Sequence, residues 1–424
     1  MSAFSRLNAW RSALICLLLH GKCETMKLTV VIVSYRVRYY LEQCIVSVER
    51  ATEGMEREIF VVDNNSGDGT VEYLRERFAG RIILIESNHN LGFSKANNKA
   101  IRQSRGEYVL LLNPDTFVAE DSLTSVLAFM DSHPRCGGCG VKMHNADGSV
   151  ARESRRAVPT PWVALQKMVG RSGRYYMSHL PWDEPARIEA MSGAFCMLRR
   201  KALDSIGLLD EDFFMYGEDL DLSYRLLHGG YENWYVPARI VHYKGESTQK
   251  SSFRYVHVFY QAMLIFFRKH YSHASWFMTL PIKTGIYLRA LIALAQMVCG
   301  NLRQSLGFVE RDGEQPEYVF IGSGPMLDEC RHLARRKGLT AMFLPAAAAD
   351  AAAADHAAAG AASSAGGLSA VVREKGGSGL CIVYDTGTFP FSRVMDMAAA
   401  NSPARIGTFS PETHTLITPT EIIR

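Results

Sequence analysis

An α/β fold with a parallel sheet covered by helices on both faces is what this sequence predicts, and three observations carry it. Short apolar runs alternate with stretches of helical spacing from Leu28 onward, the β-α-β order that calls for parallel pairing. Two of those runs stop at acidic motifs. Glu58-Ile59-Phe60-Val61-Val62 runs into Asp63-Asn64-Asn65-Ser66, and Tyr108-Val109-Leu110-Leu111-Leu112 runs into Asn113-Pro114-Asp115-Thr116. Ligands of open α/β sheets bind beyond the carboxyl ends of the strands, so these side chains belong to the crevice. A third acidic cluster, Gly217-Glu218-Asp219-Leu220-Asp221, follows further along. Oxygen donors of this kind suit a hard divalent ion bridging phosphates, or the hydroxyls of a nucleotide.

The elements follow in order. Leu28 to Val33 is a β-branched apolar run and reads as the first strand. From Arg38 to Arg50, Tyr40, Leu41, Cys44, Ile45 and Val48 recur at helical spacing. The second strand ends at Asp63, and Gly67-Asp68-Gly69-Thr70 opens a helix with Thr70 as its cap. Arg81 to Glu86 is the third strand, Asn90-Leu91-Gly92-Phe93-Ser94 a turn, Lys95 to Ser104 a helix, and the fourth strand stops at Asn113. From about Val141 to Ala238, short strands mix with long polar loops. The sequence divides into an N-terminal extension (1–25), a catalytic section (26–250), a basic aromatic helical section (251–312) and a small Rossmann-like section (313–424).

Composition sets the bounds. At 424 residues and 47% hydrophobic content, two or three domains with proper cores are expected, and a formal charge of +4 implies no nucleic-acid or other bulk polyanion partner. Nine cysteines without a framework pattern fit reduced thiols in a cytosolic compartment. Cys136-Gly137-Gly138-Cys139 reads as a turn with free thiols, because its spacing to His133 and His144 matches no zinc ribbon or finger. Ser12 to Gly21 is too short to span a bilayer, and Met26, directly before the first strand, is an alternative start.

Val30–Tyr35, Val62–Ser66, Asn88–Asn98, Leu112–Asp115 and Phe214–Asp221 together resemble the signature series of the family-2 glycosyltransferases, in particular bacterial rhamnosyltransferase-type members. The resemblance covers about Lys27 to Ser247. It implies a fold-type-A nucleotide-binding domain fused to an acceptor-binding half. It also implies inverting transfer from a nucleotide-sugar donor with Mg²⁺ or Mn²⁺, and rhamnose as the favoured sugar.

The roles it implies are specific. Asp63 resembles the residue holding the nucleobase, with capping of the following turn as the lesser alternative. Ser34, Asn65, Asn90, Gly92, Phe93, Asn97 and Asn113 fall on the donor side, with Gly92 admitting backbone near the nucleotide. Asp115 resembles the metal carboxylate of an Asp-x-Asp motif whose first position is here Asn113, so one carboxylate serves where two are usual. His242, in Val241-His242-Tyr243-Lys244-Gly245, resembles the histidine completing the metal site; a structural histidine is the bland alternative. Asp219 is the candidate general base and Glu218 positions the acceptor, unless the Glu-Asp-Leu-Asp run is simply an acidic helix start. Gly193, in Ser192-Gly193-Ala194, and Asp221 fall on the acceptor side, with a cap of the helix Leu222–Leu227 as the equal alternative for Asp221.

From Lys250 to Val309 there are seven Lys or Arg and no acidic residue, interleaved with aromatics. Such a segment suits peripheral contact with the cytoplasmic face of an anionic inner membrane, where a lipid-linked or glycan acceptor is met; helices packed on the catalytic domain are the alternative. In the last section, Gly322-Ser323-Gly324-Pro325 follows a strand, but Leu327 replaces the third fingerprint glycine and no acidic residue ends the strand Ala341–Leu344. A scaffold or partner-binding domain is expected rather than a nicotinamide oxidoreductase, the runner-up reading. Its alanine-rich tract 346–370 reads as a flexible insertion.

Overall fold

The computed structural model describes residues 26–244, 253–271, 316–349 and 368–424, with separate residues between 280 and 302. The N-terminal extension, most of the alanine-rich tract and much of the basic aromatic section lie outside the described residues.

The first unit is a large mixed sheet built from β1 (Leu28–Ser34), α1 (Arg38–Ala51), β2 (Arg57–Asp63), α2 (Thr70–Arg77), β3 (Ile83–Glu86), α3 (Phe93–Ile101), β4 (Tyr108–Leu112) and β5 (Thr116–Val118). It continues through α4 (Ser122–Ser132), β6 (Cys136–Asn145), α5 (Pro161–Met168), β7 (Ala186–Ile188), β8 (Phe195–Arg199), α6 (Arg200–Ile206), α7 (Glu218–His228) and β9 (Glu232–His242). α8 (Phe253–His270) packs beside it. The strand order is β3-β2-β1-β4-β8-β6-β9-β5, with β7 on β9. β1 is buried at every position, as a parallel strand covered on both faces must be. Ser34 lies opposite Asp63 and Ile32 opposite Leu112, so the two acidic motifs emerge at one edge of the parallel half. Beyond β4 the sheet becomes mixed: β8 runs antiparallel to β4, with Leu112 opposite Phe195, while β6 and β9 pair in parallel. There the second half of the unit joins the same sheet.

Local readings were corrected in places. α3 starts at Phe93 and ends at Ile101, two or three residues ahead of expectation, because the Phe93 N–H is engaged from outside the helix by the Phe214 carbonyl at 2.6 Å. Gly69 rather than Thr70 precedes α2, and the Asp68 carboxylate accepts the Thr70 N–H at 3.1 Å. The Cys136–Cys139 segment is not a turn but the start of β6, with the two buried thiols 3.4 Å apart.

The second unit contains β10 (Glu317–Gly322), α9 (Gly324–Lys337), β11 (Ala341–Pro345), α10 (Leu368–Lys375), β12 (Leu380–Asp385), α11 (Phe391–Ala400), β13 (Arg405–Ser410), β14 (Thr415–Ile417) and β15 (Ile422–Ile423), in the sheet order β11-β10-β12-β13-β14-β15. β11 to β13 pair in parallel about β10, so the chain reverses direction across β10 and β12, where a doubly wound fold takes its ligand. That crevice is filled from within. The buried Asp385 carboxylate accepts the N–H and hydroxyl of Ser323 at 3.1 and 2.7 Å, the Gly387 N–H at 2.9 Å and the Thr388 hydroxyl at 2.7 Å. A Cβ on Gly322 would stand 2.4 Å from that of Asp385. Burial raises the Asp385 pKa, but the donors outweigh it and hold the carboxyl below its ordinary range. Asp385→Ala leaves these donors to find other partners. It should lower the thermal midpoint of the C-terminal unit by a loss of about 1–3 kcal/mol; an unchanged midpoint would show that water replaces the carboxylate.

Candidate functional site

A cleft of about 700 Å³ opens beyond the carboxyl ends of β1 and β4 and runs between α5 and α8. Asn64, Asn90, Phe93 and Asn113 wall one side, Gly193, Glu218 and Asp219 another, and Asp115 and His242 meet at its floor. α5 and α8 close the far end with Ala164, Tyr260, Met263 and Phe267, so a charged end grades into an apolar one.

The floor is set by strand pairing. Thr116 of β5 lies opposite His242 of β9, and the Tyr243 N–H donates to the Asp115 carbonyl at 3.0 Å. His242 Nε2 is thereby held 3.2 Å from Asp115 Oδ1 and 3.4 Å from Asn113 Nδ2. A buried carboxylate and an imidazole nitrogen side by side fit a divalent ion, with the remaining ligands left to a diphosphate. Among the described residues no group of three or more His, Cys, Asp or Glu forms a cage.

Across the cleft, Tyr216 (φ 67°) and Gly217 (φ 82°) adopt left-handed backbone just before α7, and so turn Glu218 and Asp219 inward. Asp219 Oδ2 accepts from the Arg156 guanidinium and from the Gly193 N–H at 3.0 Å, while Oδ1 accepts the Leu220 N–H at 2.8 Å. Each carboxylate oxygen carries two lone pairs, so Oδ1 keeps one for a further donor. Glu218 is 6% exposed and its Oε2 has no hydrogen-bond partner. Burial, and then the neighbouring Asp219 charge, push its pKa up to about 8. Its neutral form is therefore favoured in this setting. Lys167, under Tyr175 at 3.6 Å from its ring centre, is pulled down to about 8 by burial and by Arg156.

Several expected residues sit just behind the wall. Asp63 Oδ2 accepts the Ser66 N–H at 3.0 Å, the turn-capping alternative, while Oδ1 is buried without a partner. Ser34 is fully buried, Asn97 donates to the Phe93 carbonyl at 2.9 Å, and Asn65 is exposed in left-handed backbone. Gly92 does not open space for a nucleotide: a Cβ there would lie 2.5 Å from the Phe214 carbonyl oxygen, so its smallness serves contact with the Phe214 loop. Asp221 faces away from the cleft, accepting from Arg225 at 2.8 Å and His270 at 2.7 Å; it ties α7 to α8. Sequence reasoning missed Asn64, Arg156, Lys167 and Tyr175. Asn64 had a signal, since it belongs to the acidic motif; its amide donates to Asn90 Oδ1 and accepts the Leu91 N–H, shaping the donor turn. Arg156 and Tyr175 lie in a polar loop with no periodicity to single them out.

A mixed sheet, parallel in its first half and with carboxylates past its strand ends, is consistent with a type-A glycosyltransferase fold. Residues 29–207 match the family model Glycosyl transferase family 2, and this section of the chain is a domain of that family. An N-acetylglucosaminyl-diphospho-decaprenol L-rhamnosyltransferase of Mycobacterium tuberculosis is 29% identical over 302 residues, spanning 66% of this chain and 95% of that protein. The low-salt glycan biosynthesis hexosyltransferase Agl10 of Haloferax volcanii is 28% identical over 204 residues, 47% of this chain and 61% of its own length. Among solved structures, the mannosyltransferase PcManGT of Pyrobaculum calidifontis with GDP-Man and Mn²⁺ aligns at 18% identity and a TM-score of 0.41, covering 73% and 80% of the two chains.

The raised Glu218 pKa fixes a pH dependence. The neutral form is favoured in the folded state, so the contribution of Glu218 to stability is full below its ordinary value near 4.5 and is lost as pH rises through about 8. Glu218→Gln cannot titrate, so its thermal midpoint should gain on that of the wild type across this window. A constant difference from pH 5 to 9 would mean that Glu218 is ionised throughout.

Proposed function

We propose that the protein transfers a deoxyhexose, rhamnose in first place, with inversion from a nucleoside-diphosphate donor to a lipid-linked or glycan acceptor. The observation that carries this reading is the facing arrangement of Asp115 and His242 against Asp219 across one cleft. The donor base and ribose lie along Asn64, Asn90 and the Asp63 turn, and the diphosphate reaches the floor. Asp115 and His242 would hold Mg²⁺ or Mn²⁺, whose charge offsets that of the departing nucleoside diphosphate. Asp219 takes the proton of the acceptor hydroxyl as that oxygen bonds to the anomeric carbon and the bond from that carbon to the diphosphate oxygen breaks. A single displacement of this kind inverts the centre. Arg156 and the Gly193 N–H hold Oδ2, leaving Oδ1 to meet the hydroxyl. Protonated Glu218 adds no second charge and donates a hydrogen bond on the acceptor side.

The rhamnosyltransferase relative supports a lipid-linked acceptor, and the apolar end of the cleft suits one. Among the described residues no helix is long and apolar enough to cross a membrane. Yet Leu280, Leu288 and Leu291 are 57%, 56% and 63% exposed, and Trp162 beside the cleft is 55% exposed. Together with the basic residues of this section, they support peripheral docking on an anionic bilayer at its cytoplasmic face.

Nucleotide-sugar binding and slow hydrolysis, measured with Mn²⁺ or Mg²⁺, test the enzyme reading. Asp219→Asn should keep donor affinity and lose about 10²–10⁴-fold in turnover, the usual worth of a general base. Asp115→Ala should lose metal-dependent donor binding. No binding of any nucleotide sugar would sink the proposal. Docking is tested by co-sedimentation: wild type should pellet with phosphatidylglycerol vesicles and not with phosphatidylcholine, and Leu288→Glu/Leu291→Glu should stay in solution. Equal pelleting of the double variant would remove this surface from the reading.

A further inference from the structure

We propose that the C-terminal unit is a positioning element for the Asp115–His242 pair, acting through Phe391 and the ribbon formed by β5 and the end of β9. The inference rests on reading that pair as cation ligands. β5 is three residues long and lies at the edge of the sheet, against β9. So short an edge strand has little pairing of its own to fix it, and what packs on its faces decides its position.

Those faces belong to different bodies. Val118 and Ile240 enter the core of the catalytic sheet. Phe117, Ala119, Val241 and Tyr243 enter a second cluster shared with Val319, Ile382, Phe391 and Ile417 of the C-terminal unit. The Phe117 ring centre lies 5.1 Å from that of Phe391 and 5.8 Å from that of Tyr243, which lies 5.3 Å from Tyr40. Tyr40 in turn donates to the Thr418 carbonyl at 2.5 Å. Both ligands are one or two residues from this cluster, and the Tyr243 N–H is bonded to the Asp115 carbonyl.

The other end of the ribbon is gripped as well. Just past β5, the Glu120 carboxylate accepts the Phe391 and Ser392 N–H groups at 2.6 and 2.8 Å, meeting the positive end of α11. Gln43 to Thr408 Oγ1 at 2.6 Å and Arg50 to the Thr386 carbonyl at 3.0 Å extend the seam along α1. The C-terminal crevice, closed by Asp385, is compatible with a mechanical role for this unit.

The test is Mn²⁺ affinity in the presence of a nucleoside diphosphate, read by electron paramagnetic resonance on the full chain. Phe391→Ala opens space beneath Phe117. It should weaken Mn²⁺ binding roughly tenfold, the scale on which support around a metal site acts, with affinity for the metal-free nucleotide unchanged. Phe391→Leu should restore most of it. Phe320→Ala, in the opposite core of the same unit, lowers that unit's thermal midpoint without touching the ribbon and should leave Mn²⁺ affinity intact. If Phe391→Ala does not fold, Glu120→Gln supplies the comparison with a smaller loss in the same direction. Wild-type Mn²⁺ affinity in the folded ribbon variant, or an equal loss in Phe320→Ala, overturns the inference. A wild type that holds no Mn²⁺ overturns the ligand reading and this inference with it.

Discussion

The pairing of Thr116 with His242 is the contact on which the site depends. It joins a strand that follows the parallel half of the sheet to the last strand of the mixed half. Asp115 and His242 meet only once every intervening strand has found its place. Contacts so distant in sequence form late and cost loop entropy, so the floor of the cleft is a product of the complete fold rather than of any local motif.

Charge is distributed around that floor with evident economy. Asp219 faces Arg156, and Asp221 faces Arg225 and His270. Glu218, just ahead of them in sequence, forms no ion pair among the described residues, and burial beside Asp219 favours its neutral form. On the proposed mechanism, three neighbouring carboxyls of one short acidic run take three roles: a base, a hydrogen-bond donor and a tie between helices. The tie is structural in a direct sense, since burial alone would raise the Asp221 pKa and its two partners hold it below the ordinary carboxylate range.

Much of the fold was legible because parallel strands buried on both faces read as unbroken apolar runs; β1, β2 and β4 were located to within a residue or two. Asp115, His242, Glu218 and Asp219 were legible through motif order, and the structure brings all four to one cleft. What escaped has physical reasons. Arg156 reaches Asp219 from an irregular loop, where neither period nor spacing marks a residue. Gly92 was read toward a ligand although its neighbour is Phe214, because a glycine announces close approach without saying of what. The Cys136–Cys139 strand was hidden by glycines that ordinarily signal turns, yet Gly137 and Gly138 are there because Tyr231 and Met191 leave no room for a side chain.

The contact at Gly92 has a thermodynamic corollary. The Phe93 N–H donates to the Phe214 carbonyl at 2.6 Å, so the Asn90–Gly92 turn and the loop leading to Glu218 and Asp219 are tied together. Neither can shift without working on the other. Occupancy of one half is then thermodynamically linked to affinity in the other, and linkage of that kind is reciprocal.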